Sequence, residues 1–349
     1  MPRPPAPLPA SLGPVFSAAE ARRAGVSARR LRQPDVVRLG PGLYRRRPET
    51  PPSTEGPHPD RVWRDLQIAQ ARTLTPSLAH GQFYAGFTAA AIWELPVPHT
   101  IRRADARVDT GHDPGRGSQV PRKPDDRLTI GCCTPRRISR RHGQRALTLS
   151  PHLATVVERG GLPVTDPATT WAVVAPLLRR DDAVALGDAI IRDHRIPGTT
   201  RFKHPQLATA EDLAAASALR YRRHSRLLGA LLPLLSTHSA SPPESHLRLR
   251  IQEWGLSAPE LDYDVRAANG VLLGCSEFAW PRYRLAAEYE GDHHRTESPQ
   301  WNRDIEKYHS YERHGWETVR ATSLLLYREQ PELRRRLMGA LRDRGWEGR

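Results

Sequence analysis

The clearest polar and apolar alternation in the chain runs through Ser276–His294, SEFAWPRYRLAAEYEGDHH. A strand sends successive side chains to opposite faces. Over Arg284–Glu290, Leu285, Ala287 and Tyr289 therefore share one face, and Ala286, Glu288 and Glu290 share the other. Glu277 opens a preceding strand that Trp280-Pro281 closes, because proline cannot continue a central ladder. Paired as neighbours, the two strands bring Glu277 beside Glu288 and Glu290. Gly291 permits a sharp exit into His293-His294. Other stretches repeat at helical spacing. Glu244, Leu247, Ile251 and Trp254 form one stripe, and Leu333, Leu337 and Leu341 form another.

Toward the N terminus, Ser17-Ala18-Ala19-Glu20 is a capping-box pattern, and it starts a helix that Gly25 ends. Ser27 caps a second helix over Ala28–Gln33. Val36–Leu39 and Leu43–Arg46 read as a hairpin around Gly40-Pro41-Gly42. Further on, the pattern predicts helices over Asp60–Thr73, Phe87–Leu95, Ala168–Leu178 and Asp181–Arg192, with one or two more over Leu213–Leu235. Short strands are expected at Arg107–Thr110, Leu128–Cys133 and Ala146–Leu149, with a polar loop over Gly111–Asp126. Asn269-Gly270 is a hairpin turn. Pro299–His314 is helical to Gly315, and Trp316–Thr322 is a strand. The fold class is α+β multidomain. Residues 1–14 are a Pro-rich tail expected to be disordered, 15–50 a winged helix-turn-helix, 60–235 a central mixed α/β region and 241–343 a C-terminal α/β/α domain.

Charge sharpens this picture. The 349 residues carry a formal net charge of +15, which points to a polyanionic partner, most simply nucleic acid. Arginine supplies nearly all of it, since lysine occurs only at Lys123, Lys203 and Lys307. Arg29, Arg30 and Arg32 fall on the second predicted helix, the one that enters a major groove in such modules. Arg45, Arg46 and Arg47 fall on or after the wing, where phosphates are met. The bland alternative is a solvated basic face on a protein-interaction module. Cys132, Cys133 and Cys275 form neither a metal spacing nor an even framework, which suits a reduced, cytoplasmic chain. No run has the length of a membrane span.

Glu277, Glu288 and Glu290 carry the candidate chemistry. Three clustered carboxylates repel in a partly buried site, and a hard divalent cation relieves that repulsion. Mg²⁺, with Mn²⁺ as the alternative, polarises a phosphodiester and activates water. The ordinary alternative is that strand glutamates and adjacent histidines are surface residues.

Glu277-Phe278-Ala279-Trp280-Pro281, Glu288-Tyr289-Glu290-Gly291 and His294 resemble the pattern Asp-hydrophobic-Ala-Trp-Pro, Glu-Tyr-Asp-Gly, His. That pattern marks a domain of unknown function similar to the very-short-patch-repair endonuclease, within the PD-(D/E)XK nuclease class. The resemblance spans about Ser241–Leu341. It takes in Glu244–Leu249, Trp301–Asp304 and Gly315–Arg320. It implies a restriction-endonuclease-like fold and a metal held by Glu277, Glu288 and Glu290, with Glu290 or His294 serving the attacking water. It also implies that Glu244 can join the acidic site, the alternative being a charge favoured by a helix dipole. The chain departs from the pattern where Glu277 and Glu290 replace Asp, and it lacks the third-motif lysine. Lys307 is the nearest substitute, unless it is a surface partner of Asp304. Ala24–Ser27, Arg38-Leu39 and Gly42–Tyr44 resemble the N-terminal domain of AbiEi-type antitoxins, and Ile92–Pro96 is similar to a stretch that accompanies it. That likeness implies another reading, in which a non-enzymatic antitoxin or transcriptional repressor carries a degenerate nuclease fold and a cognate toxin is the partner.

Overall fold

In the computed structural model, residues 6–40, 42–47, 59–98, 127–138, 144–291 and 298–348 are described. The expectations for Arg107–Thr110, Gly111–Asp126 and His294 lie outside them. The chain divides into two compact units, 1–178 with 215–225, and 179–214 with 226–349.

The first unit begins with strand β1 (Val15–Ser17) and helix α1 (Ala18–Arg23). Ser17 and Glu20 close the expected capping box: the Glu20 amide donates to Ser17 Oγ at 3.1 Å, and the Ser17 amide donates to Glu20 Oε2 at 2.6 Å. Strands β2 (Val36–Gly40) and β3 (Leu43–Arg46) complete a sheet of order β1-β3-β2. The next helix is shorter than expected. Only one 3-10 turn, Arg30–Arg32, forms, and Ser27 Oγ accepts from the Arg30 amide. Gln33-Pro34 stops it there, since a residue before proline is pushed to extended geometry, and Gln33 has ψ 154°. Within the tail expected to be disordered, the described residues 6–14 depart from that expectation. Leu8 and Leu12 are buried with Phe16, Leu31 and Val36.

The rest of this unit is a five-stranded sheet of order β6-β5-β4-β8-β7, built from β4 (Gln82–Tyr84), β5 (Leu128–Cys133), β6 (Gln144–Leu149), β7 (Val156–Arg159) and β8 (Leu162–Thr165). Helices α2 (Pro59–Leu74), α3 (Gly86–Ile92) and α4 (Pro167–Val174) accompany it. Helix α3 ends earlier than Leu95, because Glu94 adopts φ +60°.

The other unit starts with α5 (Arg180–Ile191). Helix α6 (Ala210–Ala218) straddles the division, and α7 (Ser225–Leu231) follows. Then come α8 (Pro242–Glu253), β9 (Glu260–Arg266), β10 (Leu272–Trp280), β11 (Leu285–Glu290), α9 (Ser298–Arg313), β12 (Glu317–Thr322), α10 (Ser323–Tyr327) and α11 (Gln330–Asp343). The sheet order is β12-β11-β10-β9, with β11 and β12 parallel and the other pairs antiparallel. The alternation explains the layers. Phe278, Trp280, Leu285 and Ala287 pack with Leu247 and Ile251 of α8 and with Leu333, Leu337 and Leu341 of α11. Ala279 and Ala286 face the other way, against Tyr311 of α9 and Trp316. Strand β10 is longer than expected, so Glu277 sits inside it rather than opening it.

Candidate functional site

Strand register puts two carboxylates side by side. Phe278 pairs with Ala287 across β10 and β11, so one step further Glu277 stands opposite Glu288 on the face that α9 covers. Directly opposed side chains are close neighbours. The Tyr289 amide donates to Glu277 Oε2 at 2.7 Å. Lys307, on α9, donates from Nζ to Glu288 Oε1 at 2.8 Å. Lys307 is thus drawn to the strand carboxylate.

Glu244 comes to the same place from the first turn of α8. Its carboxylate accepts from the Ala240 amide at 2.7 Å and from Ser241 Oγ at 2.8 Å. Helix α8 is held by Asp188 of α5, which accepts from Ser245 Oγ, from Arg248 and from the Ser236 amide at 2.7 Å each. Burial still pushes the Asp188 carboxyl up, against the pull of Arg248.

The electrostatics of the group are unbalanced. Burial drives the Glu277 carboxyl well above the usual carboxylate range. The charges of Glu244 and Glu288 add to this, and the Tyr289 amide and Lys307 oppose it. Burial likewise raises Glu244, against the Ala240 amide, the Ser241 hydroxyl and Arg192. Three inward carboxylates thus raise one another's cost of ionisation, the condition in which a buried acid holds a proton or recruits a cation.

Glu290 lines the same cavity as Glu277 and Glu288 but is engaged by a different partner. It lies half-buried at the end of β11 and pairs with Arg320 of β12, Nε to Oε1 at 3.2 Å. Glu244, not Glu290, is the further acid acting on Glu277. Among the described residues, no three His, Cys, Asp or Glu side chains stand as a ready metal-binding group. Magnesium is often bound by one or two carboxylates together with substrate oxygens. Glu277 and Glu288, adjacent and turned inward, fit that requirement.

These groups line a cavity of about 1050 Å³. Cations also reach it, namely Arg192, Arg195, Lys203, Arg320 and Arg328. Arg195 is committed to structure. Its Nε meets Asp262 Oδ2 and its NH1 meets Asp264 Oδ2, both at 2.9 Å, and the Gly198 amide donates to Asp264. The Cys275 thiol, raised by burial, donates to Asp262. The sequence pattern does not single out Arg192, Arg195 or Arg328. They belong to segments whose contacts are distant along the chain, and the only local signal is a run of basic residues from Arg192 to Lys203.

In the first unit, Arg29, Arg32 and Arg47 are exposed, and Arg45 is half-buried. Arg30 and Arg46 are not directed to solvent as expected. Arg30 forms a two-pronged pair with Asp35 and donates to the Ala6 carbonyl at 2.8 Å. Arg46 donates to the carbonyls of Leu8, Pro9 and Leu12. Both fasten the N-terminal segment.

The chain is 30% identical over 266 residues to "Uncharacterized protein MT2308" of Mycobacterium tuberculosis (strain CDC 1551 / Oshkosh), covering 74% of this chain and 83% of that protein. The same values hold for "Uncharacterized protein Rv2248" of Mycobacterium tuberculosis (strain ATCC 25618 / H37Rv). No family model matches the chain, and no solved structure matches it. Among the described residues, no helix is long and apolar enough to cross a membrane.

Proposed function

We propose that this chain, which belongs to the family of the Mycobacterium tuberculosis protein Rv2248, is a DNA-binding protein that hydrolyses phosphodiesters with a divalent cation in its C-terminal unit. The observation that carries this reading is the pair Glu277 and Glu288 on one sheet face, met by Lys307 from the covering helix α9, inside a cavity that Arg320, Arg328 and Lys203 also line. Glu277 and Glu288 would hold the cation, Mg²⁺ or Mn²⁺, which supplies polarisation of the phosphate and activation of water. Lys307 donates to Glu288 and offers its remaining N–H donors to a phosphate oxygen. Arg320, paired with Glu290, and the exposed Arg328 face the same space and suit the flanking phosphates. Glu244, held by the cap of α8, keeps the site acidic without leaving its own hydrogen bonds. In the N-terminal unit, Arg29, Arg32 and Arg47 supply sequence-independent affinity for the backbone.

The test is cleavage of single-stranded, duplex and supercoiled DNA by the full chain with Mg²⁺ or Mn²⁺. Glu288→Gln keeps the shape and removes one charge, and it should lower the rate by about 10²–10³-fold, the order seen when one electrostatic group of a site is lost. A folded wild-type chain that cuts none of these substrates favours the alternative, a DNA-binding repressor or antitoxin of AbiEi type with a toxin as partner.

A further inference from the structure

Helices α9 and α10 each carry an apolar residue and a tyrosine three positions apart, Ile305 with Tyr308 and Leu324 with Tyr327. This spacing puts each pair on one helix face, and all four side chains line the acidic cavity. Twelve large hydrophobic side chains are exposed among the described residues. Three of them, Ile305, Leu324 and Tyr327, meet at this one place, and Leu324 is 51% exposed. The two rings are held in set directions. Tyr327 bonds through its hydroxyl to His246 Nδ1 at 3.0 Å, and the Arg320 guanidinium lies 4.5 Å from the Tyr308 ring centre.

An apolar, aromatic wall in a cavity that also displays arginine and lysine asks for a ligand with two characters. A nucleotide has them, a flat apolar base on one side and a phosphate on the other. A base inside a duplex is stacked on both faces and exposes only its edges, so it cannot lie against such a wall. A base in a single strand, or one taken out of the stack, can. Arg192 and Lys203 from the preceding segment, and Arg328 one turn beyond Leu324, supply phosphate partners within the same cavity.

We infer that the wall of Ile305, Tyr308, Leu324 and Tyr327 receives an unpaired base, so that the substrate is a nucleic-acid strand with single-stranded character at the site. This rests on the nuclease reading for its chemistry, though not for the binding itself.

The test measures binding of the full chain, in EDTA, to a fluorescein-labelled oligothymidylate and to a duplex of the same length. The single strand should bind more tightly. Leu324→Ala combined with Tyr327→Ala should lower the single-strand-to-duplex affinity ratio about tenfold, the scale of one lost base–aromatic stack. Tyr327→Phe keeps the ring and drops the hydroxyl, and it should leave the ratio near that of the wild type. An unchanged ratio in the double variant overturns the inference. So does a fall with Phe as large as with Ala, which would trace the effect to the His246 bond. Cleavage of duplex with no preference for single strands leaves the nuclease reading standing and removes this inference. Single-strand binding that depends on the wall, without any cleavage, does the reverse.

Discussion

The N-terminal unit's arginines and the C-terminal unit's carboxylates are similar along the chain, each a cluster of one sign, and the folded protein treats them in opposite ways. Arg30 and Arg46 are used up by near neighbours, namely Asp35 and the carbonyls of Ala6, Leu8, Pro9 and Leu12. Glu244, Glu277 and Glu288 are taken inward with one lysine among them. A charge matched by its own surroundings fastens the fold. Carboxylates crowded by one another inside a cavity store free energy that a ligand can release. Arg195 stands with the first kind although it lines the site, since Asp262 and Asp264 both claim it.

The largest test of this contrast is Arg195→Ala. It takes away the guanidinium that two partly buried carboxylates share, leaving Asp264 the Gly198 amide and a longer pair with Arg266 and leaving Asp262 the Cys275 thiol, and breaking such a network typically costs about 3 kcal/mol. Denaturant unfolding of the full chain should show that loss in the C-terminal unit's transition. A loss under about 1 kcal/mol would mean that Arg195 is not a fastener, and the division between the two kinds of charge would fail at its clearest member. Lys307→Met comes next. It removes the ammonium paired with Glu288, whose side chain is 7% exposed. We expect about 2 kcal/mol, below the range for fully buried pairs because Lys307 is itself 20% exposed. Glu288→Gln on top of Lys307→Met should restore part of that loss, and a double-mutant cycle reads the coupling directly. Additive losses would remove the pair from the account.

How far the sequence displays this site follows from the range of the interactions. Period-two alternation places Glu288 on the face opposite Leu285, Ala287 and Tyr289, as the structure has it. The helical stripe places Glu244 with Leu247 and Ile251, all buried. The capping box at Ser17 is local and forms as expected. Glu290 escapes the pattern because alternation fixes a face but not depth. Being last in β11, it reaches Arg320 instead of the interior. The helix after Ser27 stops short of its expected length because Pro34 restricts Gln33, a constraint outweighing the helical preference of its neighbours. Leu8 and Leu12 sit in a Pro-rich stretch, and what holds it is distant along the chain: Phe16, Leu31 and Val36, which pack on it, and Arg30 and Arg46, which collect its carbonyls. Strands β4, β7 and β8 are hidden from the pattern because each has only three or four residues, too few for a period to stand out.

Glu277→Gln sharpens the comparison through pH. The folded-state carboxyl is raised by burial, Glu244 and Glu288, so the folded chain holds a proton that the unfolded chain has already released. In EDTA the wild-type protein should therefore lose stability as pH rises from the ordinary carboxylate range toward the raised value, and the loss persists above it. Glutamine keeps an oxygen for the Tyr289 amide and carries no charge. The variant should be more stable than wild type at neutral pH by about 1 kcal/mol, within the range for burying a poorly compensated polar group. The difference should vanish at acid pH, where Glu277 is protonated in both states. Melting curves across pH read this, and a variant less stable at neutral pH would contradict it.

The smallest effects on folding belong to the exposed arginines, and there the contrast becomes a difference in kind. Arg30→Ala should lower stability modestly, by about 0.5 kcal/mol, since Asp35 is 41% exposed and solvent screens much of the pair. Arg30 holds the Asp35 carboxyl below its usual range, so this stabilisation is present at neutral pH and fades as pH falls through the lowered value. Arg29→Ala with Arg32→Ala should leave stability within about 0.5 kcal/mol, as surface changes do. On DNA the order should reverse. Each phosphate contact contributes close to one unit to the slope of log affinity against log salt, so the double variant should reduce that slope by about two and Arg30→Ala should leave it as it was. A slope that drops with Arg30→Ala and holds without Arg29 and Arg32 would show that the pair with Asp35 opens on DNA, and that a locally matched charge can still be the one that binds.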